Sequence, residues 1–148
     1  MEYIENFLRF ALRQIHLQKI KCISRTKMSD EMVNLLMSFI VKIPKLLALC
    51  LSLDYNDIVW KVKWLEDLSA SCLETLQIVC NEIDCSTISE CPYPSCAVLS
   101  NLKMEGDKLD IIPLLKFFPR LKSLQLSHVD DEMLECICSN HVNYIMAY

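Results

Sequence analysis

A short apolar pattern, L-x-x-L-x-L, recurs along this 148-residue chain and constrains its fold more than any other feature. With aliphatic substitutes allowed, the pattern starts at residues 12, 46, 73, 99, 121 and 142, at intervals of 34, 27, 26, 22 and 21 residues. Recurrence at this spacing indicates stacked structural repeats. The triplets are Leu12, Ile15 and Leu17; Leu46, Leu49 and Leu51; Leu73, Leu76 and Ile78; Leu99, Leu102 and Met104; Leu121, Leu124 and Leu126; Val142, Ile145 and Ala147.

The segments between the triplets carry helix signals. Helices are predicted to start at Ser29, at Asn56 or Asp57, at Asp110 and at Asp130. Each predicted start has a side chain suited to an N-cap, and apolar residues follow at helical spacing. On the second of these helices, Trp60 and Trp64 are predicted to be core residues. Residues 85–97 contain Pro92 and Pro94, so this connection is expected to be irregular or 3₁₀.

Strand and helix therefore alternate, which predicts an α/β fold. Neither a strand with one apolar face nor an amphipathic helix can bury that face alone, so the units must stack. The expected architecture is a curved parallel sheet on the concave side with helices on the convex side. A non-repetitive α/β domain of short strands and helices is the alternative.

The segment "LKSLQLSHVDDEMLECICSN" resembles the cysteine-containing repeats of F-box/leucine-rich-repeat proteins. In that family, the apolar triplet is followed by an acidic helix start, an apolar helix and a cysteine-containing end. The segment "MSDEMVNLLMSF" shares this pattern, and the matched pairs are Asp30 with Asp131, Glu31 with Glu132, Met32 with Met133, and Ser38 with Ser139. The resemblance covers roughly residues 12–148 and implies a leucine-rich-repeat solenoid of about five to six repeats.

The resemblance also suggests how the chain is organised. Residues 1–148 are expected to form one domain, in which 1–11 are the helix of a preceding repeat, 12–141 the repeats and 142–148 the start of another. No F-box-like sequence precedes them, and we expect the chain to be part of a longer protein. Exposed apolar strand edges invite pairing, so the isolated chain is also expected to self-associate or to be marginally soluble.

Composition excludes several classes of function. The net charge of −4 and the lack of a long basic run indicate neither nucleic-acid nor membrane binding. A single glycine excludes glycine-rich nucleotide loops. The apolar window 35–53 is interrupted by Lys42, Pro44 and Lys45, which favours a buried helix and strand over a membrane span. Nine cysteines without an export signal are expected to be reduced thiols in a cytoplasmic or nuclear protein.

The cysteines also raise the question of a metal site. Cys80, Cys85, Cys91 and Cys96 follow the pattern C-x₄-C-x₅-C-x₄-C, whereas structural zinc sites use gaps of about two to four residues within a ligand pair. No histidine lies close by, and the C-x-C pair at 136 and 138 points apart on a helix. We therefore predict scattered thiols, with no metal, cofactor or catalytic site, and zinc binding is the alternative.

Alternation along a strand places the third, fifth and seventh residues of each unit on the concave face. Most of these side chains are polar and uncharged, which suits hydrogen bonding to a protein or peptide. The candidate partner-binding residues are Gln14, His16, Gln18, Thr75, Gln77, Asn101, Lys103, Glu105, Ser123, Gln125, Ser127 and Tyr144. The same positions are occupied elsewhere by Ala48, Cys50, Ser52, Val79, Met146 and Tyr148.

The predicted function is a protein–protein interaction module and not an enzyme. The resemblance implies the substrate-recognition part of an F-box-type ubiquitin ligase, which would contact a ligase adaptor through a region absent here. One alternative is a leucine-rich-repeat scaffold or innate-sensor fragment without a ubiquitin role. A second is an α/β enzyme without repeats.

Overall fold

The computed structural model describes residues 2–14, 16–25, 28–53, 59–68, 71–84, 98–106, 109, 111–139 and 144–147, which form an α/β fold. Among these residues, no helix combines the length and apolar character needed to cross a membrane. The elements in chain order are α1 (Glu2–Leu12), β1 (Lys19–Ile23), α2 (Asp30–Ile40), β2 (Ala48–Ser52), β3 (Val59–Lys61), α3 (Val62–Asp67), β4 (Thr75–Val79), β5 (Glu82–Asp84), β6 (Asn101–Glu105), a 3₁₀ helix (Ile112–Phe117), β7 (Ser123–Leu126), α4 (Asp131–Ser139) and β8 (Tyr144–Ala147).

The main sheet has six parallel strands in the order β1-β2-β4-β6-β7-β8, and β3 pairs with β5 in a separate parallel pair. Residues of neighbouring main-sheet strands align so that the apolar triplets form continuous rows. One row contains Leu49, Leu76, Leu102 and Leu124, and the next contains Leu51, Ile78, Met104 and Leu126. All eight side chains are buried in a single core with the helices. The strand positions predicted from the triplets at 46, 73, 99 and 121 are therefore confirmed.

The strand predicted from the triplet at residue 12 is wrong. Leu12 is the last residue of α1, where it continues a helical stripe with the buried Leu8 and Ala11. Its spacing therefore follows the helical period rather than the alternation of a strand. Gln14, His16 and Gln18 consequently precede β1 and do not lie on a strand.

The first strand instead begins at Lys19, and the triplet that fits it is Leu17, Ile20 and Cys22. Ile20 pairs with Leu49 and Cys22 pairs with Leu51. Counted from residue 17, the intervals become 29, 27, 26, 22 and 21 residues, so the outlying value of 34 disappears. Cysteine behaves as a small hydrophobic residue, and a pattern restricted to aliphatic residues misses it.

Two of the predicted helix starts are confirmed by their capping bonds. The Met32 backbone N–H donates to Ser29 Oγ at 3.3 Å, which caps α2. The Met133 N–H donates to Asp130 Oδ1 at 2.7 Å at the start of α4. Both helices also carry two acids in their first turn, where the helix dipole favours negative charge.

The other two predicted helices differ from the structure. Val59–Lys61 is a strand because its backbone pairs with Glu82–Asp84, and α3 begins only at Val62. The predicted starts at 56, 57 and 110 lie outside the described residues, as does the connection 85–97. The helix expected to start at Asp110 and to stop before Pro119 is instead a 3₁₀ helix over Ile112–Phe117, with a proline at its amino end.

The two tryptophans are core residues, as predicted. Trp60 and Trp64 are fully buried, and their rings meet edge to face with centroids 5.1 Å apart. Trp64 Nε1 also donates to Asn34 Oδ1 at 2.6 Å, which ties α3 to α2. Lys61 forms an ion pair with Asp30 across the same junction.

Because alternate residues of a strand are buried, substitutions at two neighbouring positions should differ strongly in their effect on the free energy of unfolding. Leu76→Ala should lower the free energy of unfolding by about 2–5 kcal/mol, because it removes a fully buried side chain and leaves a cavity. Gln77→Ala, one residue further on the opposite face, is the matched control and should change it by less than about 0.5 kcal/mol. Urea unfolding of both variants measures the difference, and similar values for the two would contradict the strand alignment.

Candidate partner-binding face

The sheet has a second face, opposite the core, which we call the open face. The paired residues form its rows, and the first row is Lys19, Ala48, Thr75, Asn101 and Ser123. The second is Lys21, Cys50, Gln77, Lys103 and Gln125, and the third is Ile23, Ser52, Val79 and Glu105. Except for the buried Cys50, these side chains are exposed or half-buried.

The structure brings most of the predicted site residues together on this face. Thr75, Gln77, Asn101, Lys103, Glu105, Ser123 and Gln125 lie on three consecutive strands, β4, β6 and β7. Tyr144 extends the first row through its backbone pairing with Ser123. The predicted placement of Gln14, His16 and Gln18 on a strand of this face is wrong, because they precede β1. Tyr148 lies outside the described residues.

Sequence reasoning missed the residues that β1 contributes. Lys19, Lys21 and Ile23 occupy the places assigned to Gln14, His16 and Gln18, and all three are exposed. They add two positive charges and an aliphatic side chain to one end of the face. The 34-residue interval was the signal that could have found them, since a start at Leu17 reduces it to 29.

The sizes of the outward side chains predict a depression of the open face along β2. Its three outward side chains, Ala48, Cys50 and Ser52, are small, whereas Lys21 and Gln77 on the adjacent strands are long. Because strands lie about 4.8 Å apart, the strands on either side of β2 are about 10 Å apart. A trough of this width accommodates one extended peptide segment.

Polar contacts organise the part of the face on β4 and β6. Asn101 Nδ2 donates to Thr75 Oγ1 at 3.4 Å and to Ser100 Oγ at 3.0 Å. Lys103 and Glu105 form an ion pair at 2.5 Å, and each side chain is about one-third exposed. The pair lies at the surface, where ion pairs contribute little to stability.

Ser127, a predicted partner-binding residue, forms hydrogen bonds with the backbone of Gly106, the residue that follows β6. Its Oγ accepts from the Gly106 N–H at 3.0 Å and donates to the Gly106 carbonyl oxygen at 2.8 Å. Gly106 itself packs so close to the Cys80 carbonyl oxygen that a Cβ there would overlap it. The single glycine of the chain is therefore required by a close backbone approach at the carboxyl ends of the strands.

The described cysteines are thiols that lie in different environments. Cys80 is buried and its thiol donates to the Glu82 carbonyl oxygen at 3.6 Å, whereas Cys72 and Cys138 are exposed. Cys85, Cys91 and Cys96, the other members of the possible zinc set, lie outside the described residues. Within the described ranges, no group of three or more histidine, cysteine or acidic side chains is arranged to hold a metal ion.

One thiol beside the open face, that of Cys22, has a raised pKa. Burial raises the pKa of Cys22 on β1, and the nearby Cys50 on β2 raises it further. Both effects disfavour the thiolate, which is the reactive form of cysteine. This environment favours an inert thiol that packs under the face rather than a nucleophile.

Comparisons with known proteins found no matching family model, curated protein or solved structure. A functional assignment therefore depends on the geometry of the open face.

Gly106→Ala should destabilise the fold by about 1–3 kcal/mol or more, because the new methyl group overlaps the Cys80 carbonyl oxygen. The matched variant Ser127→Ala removes only the hydroxyl that bonds the same glycine, and should cost about 0.5–1.5 kcal/mol. Thermal unfolding followed by circular dichroism compares the two. If the Gly106→Ala protein is as stable as the native chain, the backbone around Gly106 and Cys80 can move apart without cost, which would contradict the prediction.

Alkylation with iodoacetamide should be slower at Cys22 than at the exposed Cys72 and Cys138 near neutral pH. The raised pKa of Cys22 leaves a small thiolate fraction at neutral pH, so its alkylation rate should keep rising with pH well above neutrality. Peptide mass spectrometry over a pH series gives each rate separately. Equal rates at neutral pH would contradict the buried placement of this thiol.

Proposed function

We propose that this chain is a leucine-rich-repeat solenoid that binds a protein or peptide partner on its open face. The observation that carries the proposal is the alignment of the strands, because equivalent triplet positions pair from β1 to β8. The starts at 17, 46, 73, 99, 121 and 142 are spaced within the 20–29 residues typical of such repeats. Solenoids characteristically use the exposed sheet for binding.

The chemistry of the open face favours a polypeptide ligand. Gln77 and Gln125 have amides that both donate and accept hydrogen bonds, and they lie in one row with Lys103. Ile23 and Val79 add apolar area in the third row. A segment lying in the β2 trough would meet the Gln77 amide on one side and Lys21 on the other, which favours a neutral or acidic sequence.

The finer proposal is a substrate receptor of an F-box-type ubiquitin ligase. It is supported by α2 and α4, which reproduce the acidic, capped helix start of the family the sequence resembles. A leucine-rich-repeat scaffold or sensor without a ubiquitin role would use the same face. The two roles differ in the fate of the partner.

Binding should be lost when Gln77→Ala, Lys103→Ala and Gln125→Ala are combined, because the second row then loses three of its four long hydrogen-bonding side chains. The matched control combines Lys45→Ala, Lys63→Ala and Asp67→Ala at exposed positions outside the open face, and it changes the net charge by the same amount. Quantitative pull-downs from cells, followed by binding measurements with the purified partner, compare native, triple and control proteins. We expect a loss of at least tenfold in affinity for the triple variant alone.

Retention of every partner by the folded triple variant would contradict binding on the open face. The ubiquitin role has its own readout, the abundance of the captured partner after depletion of this protein from cells. An increase in abundance with a longer half-life supports the ligase role. An unchanged half-life supports the scaffold.

A further inference from the structure

The end of the molecule formed by α1 and β1 exposes aromatic and aliphatic side chains, and we call it the first end. Tyr3, Phe7 and Phe10 of α1 are 91%, 51% and 61% exposed. Their spacing at i, i+4 and i+7 places them on one stripe of the helix. Ile23 on the adjacent strand is 55% exposed. Large apolar side chains grouped in this way mark an interaction surface.

A cavity of about 430 Å³ lies at the first end between α1, β1 and α2. Tyr3, Phe7, Ile23 and Met32 contribute apolar walls, and Lys21 and Arg25 line the same space. The surface is therefore apolar with basic groups, and its complement would be apolar with acidic groups.

The backbone of β1 points hydrogen-bonding groups away from the sheet. Gln18 O accepts from Ala48 N at 2.9 Å and Ser24 N donates to Ser52 O at 3.0 Å, so alternate residues from 18 to 24 face β2. Backbone groups of successive strand residues point to opposite sides. Those of Lys19, Lys21 and Ile23 therefore point outward, and in the described chain β1 pairs only with β2.

These outward groups match the way the inner strands pair. Lys19 corresponds to Ala48, Thr75, Asn101 and Ser123, each of which donates its N–H to the strand that precedes it in the sheet. β1 is thus poised to accept a parallel strand in the same arrangement. A strand that pairs with β1 in this way must run parallel to it and must have outward-pointing backbone N–H and C=O groups of its own.

The opposite end of the molecule, formed by β8 and α4, has these properties and is called the second end. β8 pairs only with β7 among the described strands, and it runs parallel to β1. By the same alternation, the backbone groups of Ile145 and Ala147 face outward. The helix that precedes it in the chain, α4, exposes the acids Asp131, Glu132 and Glu135, and Leu134 is 44% exposed.

We propose that the first end of one copy of this chain docks on the second end of another, head to tail. β1 would extend the partner copy's sheet beyond β8, and the aromatic stripe of α1 would meet α4. Lys21 and Arg25, which line the cavity beside α1, would approach the acids of α4, an attraction that acts over about 10 Å at moderate salt. Such a heterologous contact does not close on itself, so it permits chains longer than a dimer.

Two blocked variants test this arrangement by sedimentation of the whole chain over a concentration series. Phe7→Asp with Phe10→Asp blocks the first end, and Leu134→Arg with Glu135→Arg blocks the second. The native protein should grow beyond a dimer with rising concentration and should dissociate as salt is raised. Each variant alone should remain monomeric, and an equimolar mixture should form a 1:1 complex, because each retains the end that the other lacks.

The controls separate assembly from misfolding and from partner binding. All four substitutions are at exposed positions, so far-ultraviolet circular dichroism and the melting temperature should stay close to the native values. If the first-end variant fails to fold, Lys21→Glu with Arg25→Glu replaces it. The triple variant of the open face should assemble as the native chain does, which distinguishes this contact from the proposed function.

Three outcomes would overturn the proposal. A native protein that remains monomeric at every concentration would leave the first end to a different partner. A second-end variant that still dimerises would indicate symmetric pairing of first ends. A mixture of the two folded variants that forms no complex would also exclude the head-to-tail contact.

Discussion

The rest of the structure depends on the pairing that aligns each strand with the next, so that buried leucines stack in rows. Leu49, Leu76, Leu102 and Leu124 occupy equivalent positions on four neighbouring strands, and each packs beside the next. Full burial of such a side chain contributes about 1.5–3 kcal/mol. A shift of one residue would turn these leucines to solvent, so burial and hydrogen bonding enforce the same alignment.

The open face is a consequence of this alignment. Once alternate residues are committed to the core, the remaining ones form rows on the other side, and the core places no demand on their identity. Polar groups such as Gln77 and Lys103 can therefore be used for recognition without weakening the fold. The backbone contact of Gly106 with Cys80 and its bonds to Ser127 hold the carboxyl ends of the strands together at the margin of this surface.

Much of the fold could be predicted because its signals are local. The triplets from Leu46 onward identify four strands, and Ser29 and Asp130 identify two helix starts through side-chain bonds to nearby N–H groups. The errors occur where contacts with residues distant in the chain determine the secondary structure. Val59–Lys61 becomes a strand because β5 supplies its hydrogen bonds, and Leu12 ends a helix because α1 packs against α2.

By itself, the sequence determined the alternation of buried and exposed residues along the strands, and with it most of the open face. It also determined the capped starts of α2 and α4, since caps and alternation involve residues only a few positions apart. Only the tertiary structure decided that Lys19, Lys21 and Ile23 belong to the face and that β1 lies at its edge. Those features depend on which strand is hydrogen-bonded to which, and that choice is made between segments far apart in the chain.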